Sequence, residues 1–114
     1  MREKPNDNIR LLHINDAIIE IESYILNVSL AQFNADSKTR FASIKQLEII
    51  GEAAYHISKE FKLTHVEIEW NQIIGLRHIL VHEYYGIENG ILWRILQTHI
   101  PDLKMKITKL INKH

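Results

Sequence analysis

The sequence contains no cysteine, and only two prolines and four glycines. The absence of cysteine excludes a disulfide framework, a thiolate-bound zinc and a thiol nucleophile, so any chemistry must come from carboxylates, imidazoles, hydroxyls and phenols. No apolar run approaches the roughly 18–20 residues that are needed to span a bilayer, and the polar N-terminus is unlike a signal peptide. We therefore expect a cytoplasmic protein that makes no contact with a membrane.

An excess of charge of one sign is also absent, since 14 basic residues balance 14 acidic ones. Domains that coat nucleic acid usually carry a strong basic excess, which this chain lacks. The charge is unevenly distributed, because it is −3 in residues 1–36, +2 in 37–66, −3 in 67–93 and +4 in 94–114. A nucleic acid that binds this chain must therefore be held by local groups.

The length of 114 residues and the apolar fraction of 46% predict a single folded domain over residues 1–114. Apolar residues recur at helical spacing, which predicts one helix from about residue 8 to 29 and a second from about 38 to between 59 and 62. Residues 63–69 are expected to form an extended connection, and a third helix is expected to begin near Trp70.

Two residues that disfavour helices lie within the helical patterns. Gly51 costs roughly 1 kcal/mol relative to alanine in a helix interior, so we expect another helix to approach closely there. Pro101 lacks an amide donor and clashes with the preceding turn, so it must begin a helix or kink a longer one. Together these elements predict an all-α bundle of four or five helices.

Reactive side chains are densest between residues 77 and 86. They are Arg77, His78, His82, Glu83, Tyr84 and Tyr85. An arginine binds phosphate oxygens through a planar fork of donors, and a histidine exchanges protons near neutral pH. These two functions cleave an RNA phosphodiester without a metal, because one group moves the proton of the 2′-hydroxyl or of the leaving oxygen and the other stabilises the phosphorane.

Helical geometry limits how these groups can meet. At 100° per residue, Arg77 and His82 lie about 140° apart on an ideal helix, whereas Tyr84 lies within about 20° of Arg77. One straight helix would not direct all three at one phosphate. Either the helix ends near His82 and the chain turns, or a second subunit brings matching groups to a shared cleft.

The pattern Arg77-x4-His82-x-Tyr84 resembles the R-x4-H-x-Y motif of the HepT-like family in the HEPN superfamily, the toxin components of HepT/MntA toxin–antitoxin pairs. The similarity covers nearly the whole chain in the same order. It includes residues 12–18, 50–54, 70, 74–77, 85–87 and 93. Family members commonly have asparagine after the motif arginine, whereas this chain has His78, which changes the hydrogen bonds that orient the motif.

The resemblance implies a HEPN bundle of four or five helices that forms a homodimer through its motif-bearing helices. It also implies a metal-independent endoribonuclease that needs no cofactor and cleaves cellular RNA, such as tRNA or mRNA. Arg77 and His82 would be its catalytic pair. A minimal nucleotidyltransferase antitoxin of the MntA type would neutralise the toxin by transferring AMP to the motif tyrosine, here Tyr84. The transferred group adds bulk and negative charge where a phosphate would bind.

The same residues also have structural interpretations. Arg77 could form a purely structural ion pair, either with Glu83 or with a glutamate on another helix. Glu52 either orients Arg77 from behind or is simply a polar residue of the second predicted helix. His78 is a candidate for the same orienting role, and its i,i+4 spacing from His82 is also the spacing that chelates a metal on a helix face.

Two other functions are compatible with the sequence. One is a non-catalytic helical binding subunit that docks onto or regulates a nucleotidyltransferase. The other is a structural homodimer in which the arginine and the histidine pair across the interface. Loss of RNA cleavage in variants of Arg77 and His82 distinguishes the enzyme from both.

Overall fold

The computed structural model describes residues 6–113, and this part of the chain folds into helices with no strand. The α-helices are α1 (Asp7–Ile25), α2 (Leu30–Ala35), α3 (Ser37–His56), α4 (Lys59–Thr64), α5 (Trp70–Glu83), α6 (Asn89–Arg94) and α7 (Ile100–Lys113). A 3₁₀ turn at Tyr84–Gly86 follows α5, and a π-helical turn at Ile95–His99 joins α6 to α7. None of these helices combines the length and the apolar character that crossing a membrane requires. The all-α fold predicted from the sequence is confirmed.

Two short helices were not predicted from the apolar pattern. The first predicted helix ends early, at Ile25, and Ser29 then begins α2 through a capping box with Gln32. The second predicted helix is also shorter than expected, because α3 ends at His56 and Ser58 caps α4. Helix α4 therefore occupies the start of the predicted extended connection. Six residues span fewer than two turns, which is too short for apolar periodicity to be recognised.

Side-chain caps fix where α1 and α3 begin. The Asn6 side chain accepts a hydrogen bond from the Ile9 amide at 2.9 Å and is the N-cap of α1. At α3, the Asp36 carboxylate accepts hydrogen bonds from the hydroxyl and the amide of Thr39. These bonds hold the pKa of the Asp36 carboxyl below its usual value.

Helices α1 and α3 pack antiparallel. Where α1 begins and α3 ends, the Asp7 carboxylate accepts hydrogen bonds from the amide and the hydroxyl of Ser58 at 2.8 and 2.6 Å. Near the other end of α1, Gln46 donates to the Tyr24 hydroxyl at 3.2 Å. Helix α7 packs against α1. The largest fully buried side chains are Leu11, Ile14, Ile18, Ile21, Phe33, Ile50, Leu80, Leu92, Leu96 and Ile107.

Helix α5 lies at the edge of the bundle and packs mainly against α3. Within α5 only Trp70 and Leu80 are buried, while Ile79 and Val81 are 43% and 40% exposed. A groove of about 340 Å³ separates α5 from the π-helical turn and the first turns of α7, and its walls are mostly apolar. The groove is lined on the α5 side by Ile73 and Leu76, and no helix fills it in the described part of the chain.

The π-helical turn allows Pro101 to lie within a longer helical run. The Ile100 amide donates to the carbonyl of Ile95, five residues earlier, whereas in an α-helix it would donate to the carbonyl four residues earlier. A widened turn directly before a proline relieves the clash between its ring and the preceding carbonyl. Pro101 is the second residue of α7, so the proline is accommodated within the run that joins α6 to α7.

Candidate active site

Helices α3 and α5 approach closely at Gly51. A Cβ atom at this position would overlap the Cβ atom of Arg77 and lie 2.9 Å from its Cγ atom and 3.1 Å from the carbonyl oxygen of Ile73. Only glycine leaves room for the aliphatic stem of Arg77 to pack directly on the α3 backbone. The close helix contact predicted at Gly51 is confirmed.

The guanidinium of Arg77 is held by a carboxylate on α3. Arg77 Nη2 lies 2.9 Å from Glu52 Oε2, and the second carboxylate oxygen, Oε1, lies 3.0 Å from His56 Nε2. His56 is one helical turn after Glu52, which places the two side chains on the same face of α3. A single carboxylate therefore connects an arginine on one helix to a histidine on another.

The Glu52 ion pair leaves much of Arg77 available to a ligand. The Arg77 side chain is 38% exposed, and a guanidinium has five N–H donors, whereas the ion pair engages Nη2. An ion pair with a glutamate on another helix is what the structural interpretation of Arg77 predicted, and that pair is present. It also fixes a partly exposed cation in one orientation, which is what phosphate binding requires.

His82 lies on the same helix as Arg77 but does not meet it. Helix α5 continues to Glu83, so His82 stays within the helix and the chain turns only at Tyr84. No hydrogen bond or ion pair joins Arg77 to His82 in residues 6–113. The neighbour of His82 is His78, whose ring centroid is 4.6 Å away, and both histidines are exposed. Within one chain the two motif residues thus keep the separation of about 140°.

Tyr84 begins the 3₁₀ turn after α5, so it leaves the helical path that would have aligned it with Arg77. Its ring packs edge-on against Phe41 of α3, with centroids 6.1 Å apart, and against Tyr85 at 5.8 Å. The Tyr84 side chain remains half-exposed, and no hydrogen bond of its hydroxyl is present in the described residues. The phenol is therefore accessible to solvent.

His78 and His82 lie one turn apart on α5, which is the spacing that can chelate a metal on a helix face. Among residues 6–113, no group of three or more His, Asp or Glu side chains is placed so that it could hold a metal ion together. The two histidine rings form a pair, and Glu83 follows them at the end of α5.

Sequence reasoning missed His56 and the neighbouring Tyr55. Tyr55 is exposed at the end of α3, and its ring contacts the ring of His56. The available signal was the i,i+4 spacing from Glu52 to His56 on a predicted helix. That signal alone does not show which face of α3 borders α5.

Comparison with known proteins identifies the family. Residues 14–110 match the model of the family described as ribonuclease HepT-like. The chain belongs to this family. A probable ribonuclease HepT of Thermococcus cleftensis is 41% identical over 97 residues, which cover 85% of this chain and 88% of the relative. A putative RNase of Methanocaldococcus jannaschii is 31% identical, covering 85% of this chain and 89% of the relative.

A further relative is a putative RNase of Caldanaerobacter subterraneus subsp. tengcongensis. It is 34% identical over 89 residues, which cover 78% of this chain and 80% of the relative. No solved structure matches the chain. The HepT-like match spans every site residue described above and confirms the resemblance that the motif indicated. Family membership assigns the protein to the ribonucleases, while the roles of its individual side chains remain predictions.

Proposed function

We propose that this HepT-like protein is the toxin of a toxin–antitoxin pair and acts as a metal-independent endoribonuclease on cellular RNA such as tRNA or mRNA. The observation that carries the proposal is the partly exposed guanidinium of Arg77, fixed by Glu52, on the helix that also presents His82. A fixed cation and an exposed imidazole are the groups that cleavage by the 2′-hydroxyl requires.

The reaction needs one proton-transfer group and one group that stabilises charge. His82 accepts the proton of the 2′-hydroxyl as this oxygen attacks phosphorus, or donates a proton to the departing 5′-oxygen, and water or the histidine of a second subunit carries out the other transfer. The bond from the 2′-oxygen to phosphorus forms while the bond to the 5′-oxygen breaks, which leaves a 2′,3′-cyclic phosphate and a 5′-hydroxyl. Arg77 donates hydrogen bonds to the non-bridging oxygens of the phosphorane.

A homodimer through α5 would bring these groups together. The separation of about 140° between Arg77 and His82 on one helix argues that a single subunit does not direct both at one phosphate. Ile79, which is 43% exposed, lies about 60° from His82 around α5 and away from the side that packs on α3, so it offers an apolar contact that a second copy can cover. Two-fold symmetry then places two arginines and two histidines around one groove.

We expect the purified protein to cleave single-stranded RNA at an undiminished rate in EDTA and to leave 2′,3′-cyclic phosphate ends, because no step uses a metal. Mass spectrometry of the fragment ends measures this result. A clean Arg77→Ala/His82→Ala preparation reports any contaminating nuclease. Activity that EDTA abolishes and Mg²⁺ restores would contradict the mechanism. Absence of turnover together with tight binding to a nucleotidyltransferase would instead favour the non-catalytic binding subunit.

The partner that neutralises this toxin is proposed to be a minimal nucleotidyltransferase of the MntA type, with Tyr84 as the acceptor. The half-exposed phenol of Tyr84 supports this role. In the transfer, the phenol oxygen attacks the α-phosphorus of ATP, the bond to pyrophosphate breaks and the phenolic proton passes to solvent. The attached AMP then adds bulk and negative charge beside the motif, which opposes the approach of an RNA phosphate.

Co-expression with such a nucleotidyltransferase is expected to add AMP groups to the wild-type protein and none to Tyr84→Phe, as measured by intact-protein mass spectrometry. Tyr85→Phe is the matched control, because Tyr85 is the next residue and is even more exposed, at 80%. Additions that persist in Tyr84→Phe and disappear in Tyr85→Phe would identify Tyr85 as the acceptor and contradict the proposal for Tyr84.

A further inference from the structure

Two aromatic rings are exposed at the end of α3, outside the motif. Tyr55 is 61% exposed, and its ring meets the ring of His56 edge-on, with centroids 5.2 Å apart and planes at 89°. His56 Nε2 lies 3.0 Å from one oxygen of Glu52, whose other oxygen pairs with Arg77. Direct contacts therefore connect this pair of rings to the Arg77 guanidinium.

Helix geometry places Tyr55 close to Arg77. Tyr55 follows Gly51, on which Arg77 packs, by four residues, which corresponds to about 6 Å along α3 and about 40° around its axis. Tyr55 therefore lies on the side of α3 that borders α5.

The backbone that carries the two rings is held in place. Lys62 Nζ donates to the Tyr55 carbonyl oxygen at 3.2 Å, and burial lowers the pKa of Lys62, which the nearby Asp7 opposes. Asp7 also holds Ser58, two residues after His56, through two hydrogen bonds. A surface that is already ordered loses less conformational entropy when a ligand binds.

We propose that Tyr55 and His56 bind a nucleobase of single-stranded RNA beside the phosphate that Arg77 holds, an inference that rests on the proposed ribonuclease activity. Any nucleobase can stack on an exposed aromatic ring, so this contact tolerates different sequences. Bases in a duplex are already stacked and paired, which favours unpaired RNA. Lys59, the exposed first residue of α4 and four residues after Tyr55 in the sequence, supplies a cation for a neighbouring phosphate. A chain without net charge needs local contacts of this kind.

A short 2′-O-methyl RNA tests the site by binding alone, because the blocked 2′-hydroxyl prevents cleavage. Measured by fluorescence anisotropy, Tyr55→Ala is expected to weaken binding between about 5- and 150-fold, as for the loss of one stacked base. Tyr55→Phe keeps the ring and should bind as the wild type does. Met105→Ala, an exposed position on α7, is the matched control and should leave binding unchanged. A 2-aminopurine in the RNA should be quenched by the wild type and not by Tyr55→Ala.

Unchanged binding and quenching in Tyr55→Ala would overturn the proposal. A Tyr55→Ala protein that sediments as a smaller species than the wild type would also overturn it, because the ring would then lie between copies of the chain. Cleavage of unmodified RNA is measured in parallel. If the wild type cleaves RNA and Tyr55→Ala cleaves it equally well, only the nucleobase site is contradicted. If the wild type does not cleave RNA, the proposed ribonuclease activity is contradicted.

Discussion

Replacing Arg77 with alanine is expected to lower kcat/KM for RNA cleavage by about 10³-fold, since the developing phosphorane charge loses a fixed cation. His82→Ala is expected to lower it between about 10²- and 10⁴-fold through the loss of proton transfer. Both groups act on the same transition state, so kcat/KM of the double variant should be only slightly lower than that of the less active single variant. Initial rates on end-labelled RNA measure these changes.

Controls for this prediction come from the ion pair itself. Arg77→Lys keeps the charge but not the planar fork of donors, so it should restore only part of the activity. Glu52→Gln keeps the size of the side chain while removing the carboxylate charge, and its loss of activity should fall between those of the wild type and Arg77→Ala. Thermal melting should show that all of these variants remain folded. If the purified double variant cleaves RNA at the wild-type rate, Arg77 and His82 are not part of the mechanism.

The second large effect is expected on stability. Gly51→Ala should lower the free energy of unfolding by about 1–2 kcal/mol, because overpacking typically costs about 1–3 kcal/mol and helix propensity returns about 1 kcal/mol. The overpacking cost lies in the upper part of this range, since the new methyl group meets the Cβ atom of Arg77 and the carbonyl oxygen of Ile73, neither of which can move without α5. Urea unfolding measures the change. Cleavage should fall as well, because Arg77 is displaced.

Gly75→Ala provides a matched control within α5. A Cβ atom at Gly75 meets no side chain and no other helix of the same chain within 4 Å, so the substitution should raise the free energy of unfolding by up to about 1 kcal/mol. The two glycine variants are therefore expected to change stability in opposite directions. Equal stabilisation by both substitutions would show that α3 and α5 do not pack as closely as described.

Much of the fold could be predicted because apolar side chains recur at helical spacing in α1, α3 and α5. Gly51 also gave correct information, since a glycine in a helix interior indicates close packing. The partner of Arg77 could not be chosen from sequence, because Glu83 and Glu52 are both plausible by charge. Only the relative register of α3 and α5 distinguishes these two carboxylates, and periodicity within one helix contains no information about register between helices.

Only part of the site could be predicted from the sequence, because spacing along the chain does not show how the helices pack. The pattern of Arg77, His82 and Tyr84 gave the motif, but its spacing did not show that α5 remains helical through His82 and that Tyr84 then leaves the helix. Tyr55 and His56 belong to another helix and to no motif. Their connection to Arg77 depends on the carboxylate of Glu52, which only tertiary packing places between them.

The position of α5 at the edge of the bundle has a dynamic consequence. Its order depends mainly on one interface with α3, and it buries only two of its side chains in the described part of the chain. Elements with few buried contacts open locally at lower free energy than a central pair of helices such as α1 and α3. When α5 separates from α3, the Arg77–Glu52 ion pair breaks in the same event. Amide protons of α5 are therefore expected to exchange whenever the Arg77–Glu52 pair separates, so local unfolding of α5 and loss of the candidate site should share a single equilibrium constant.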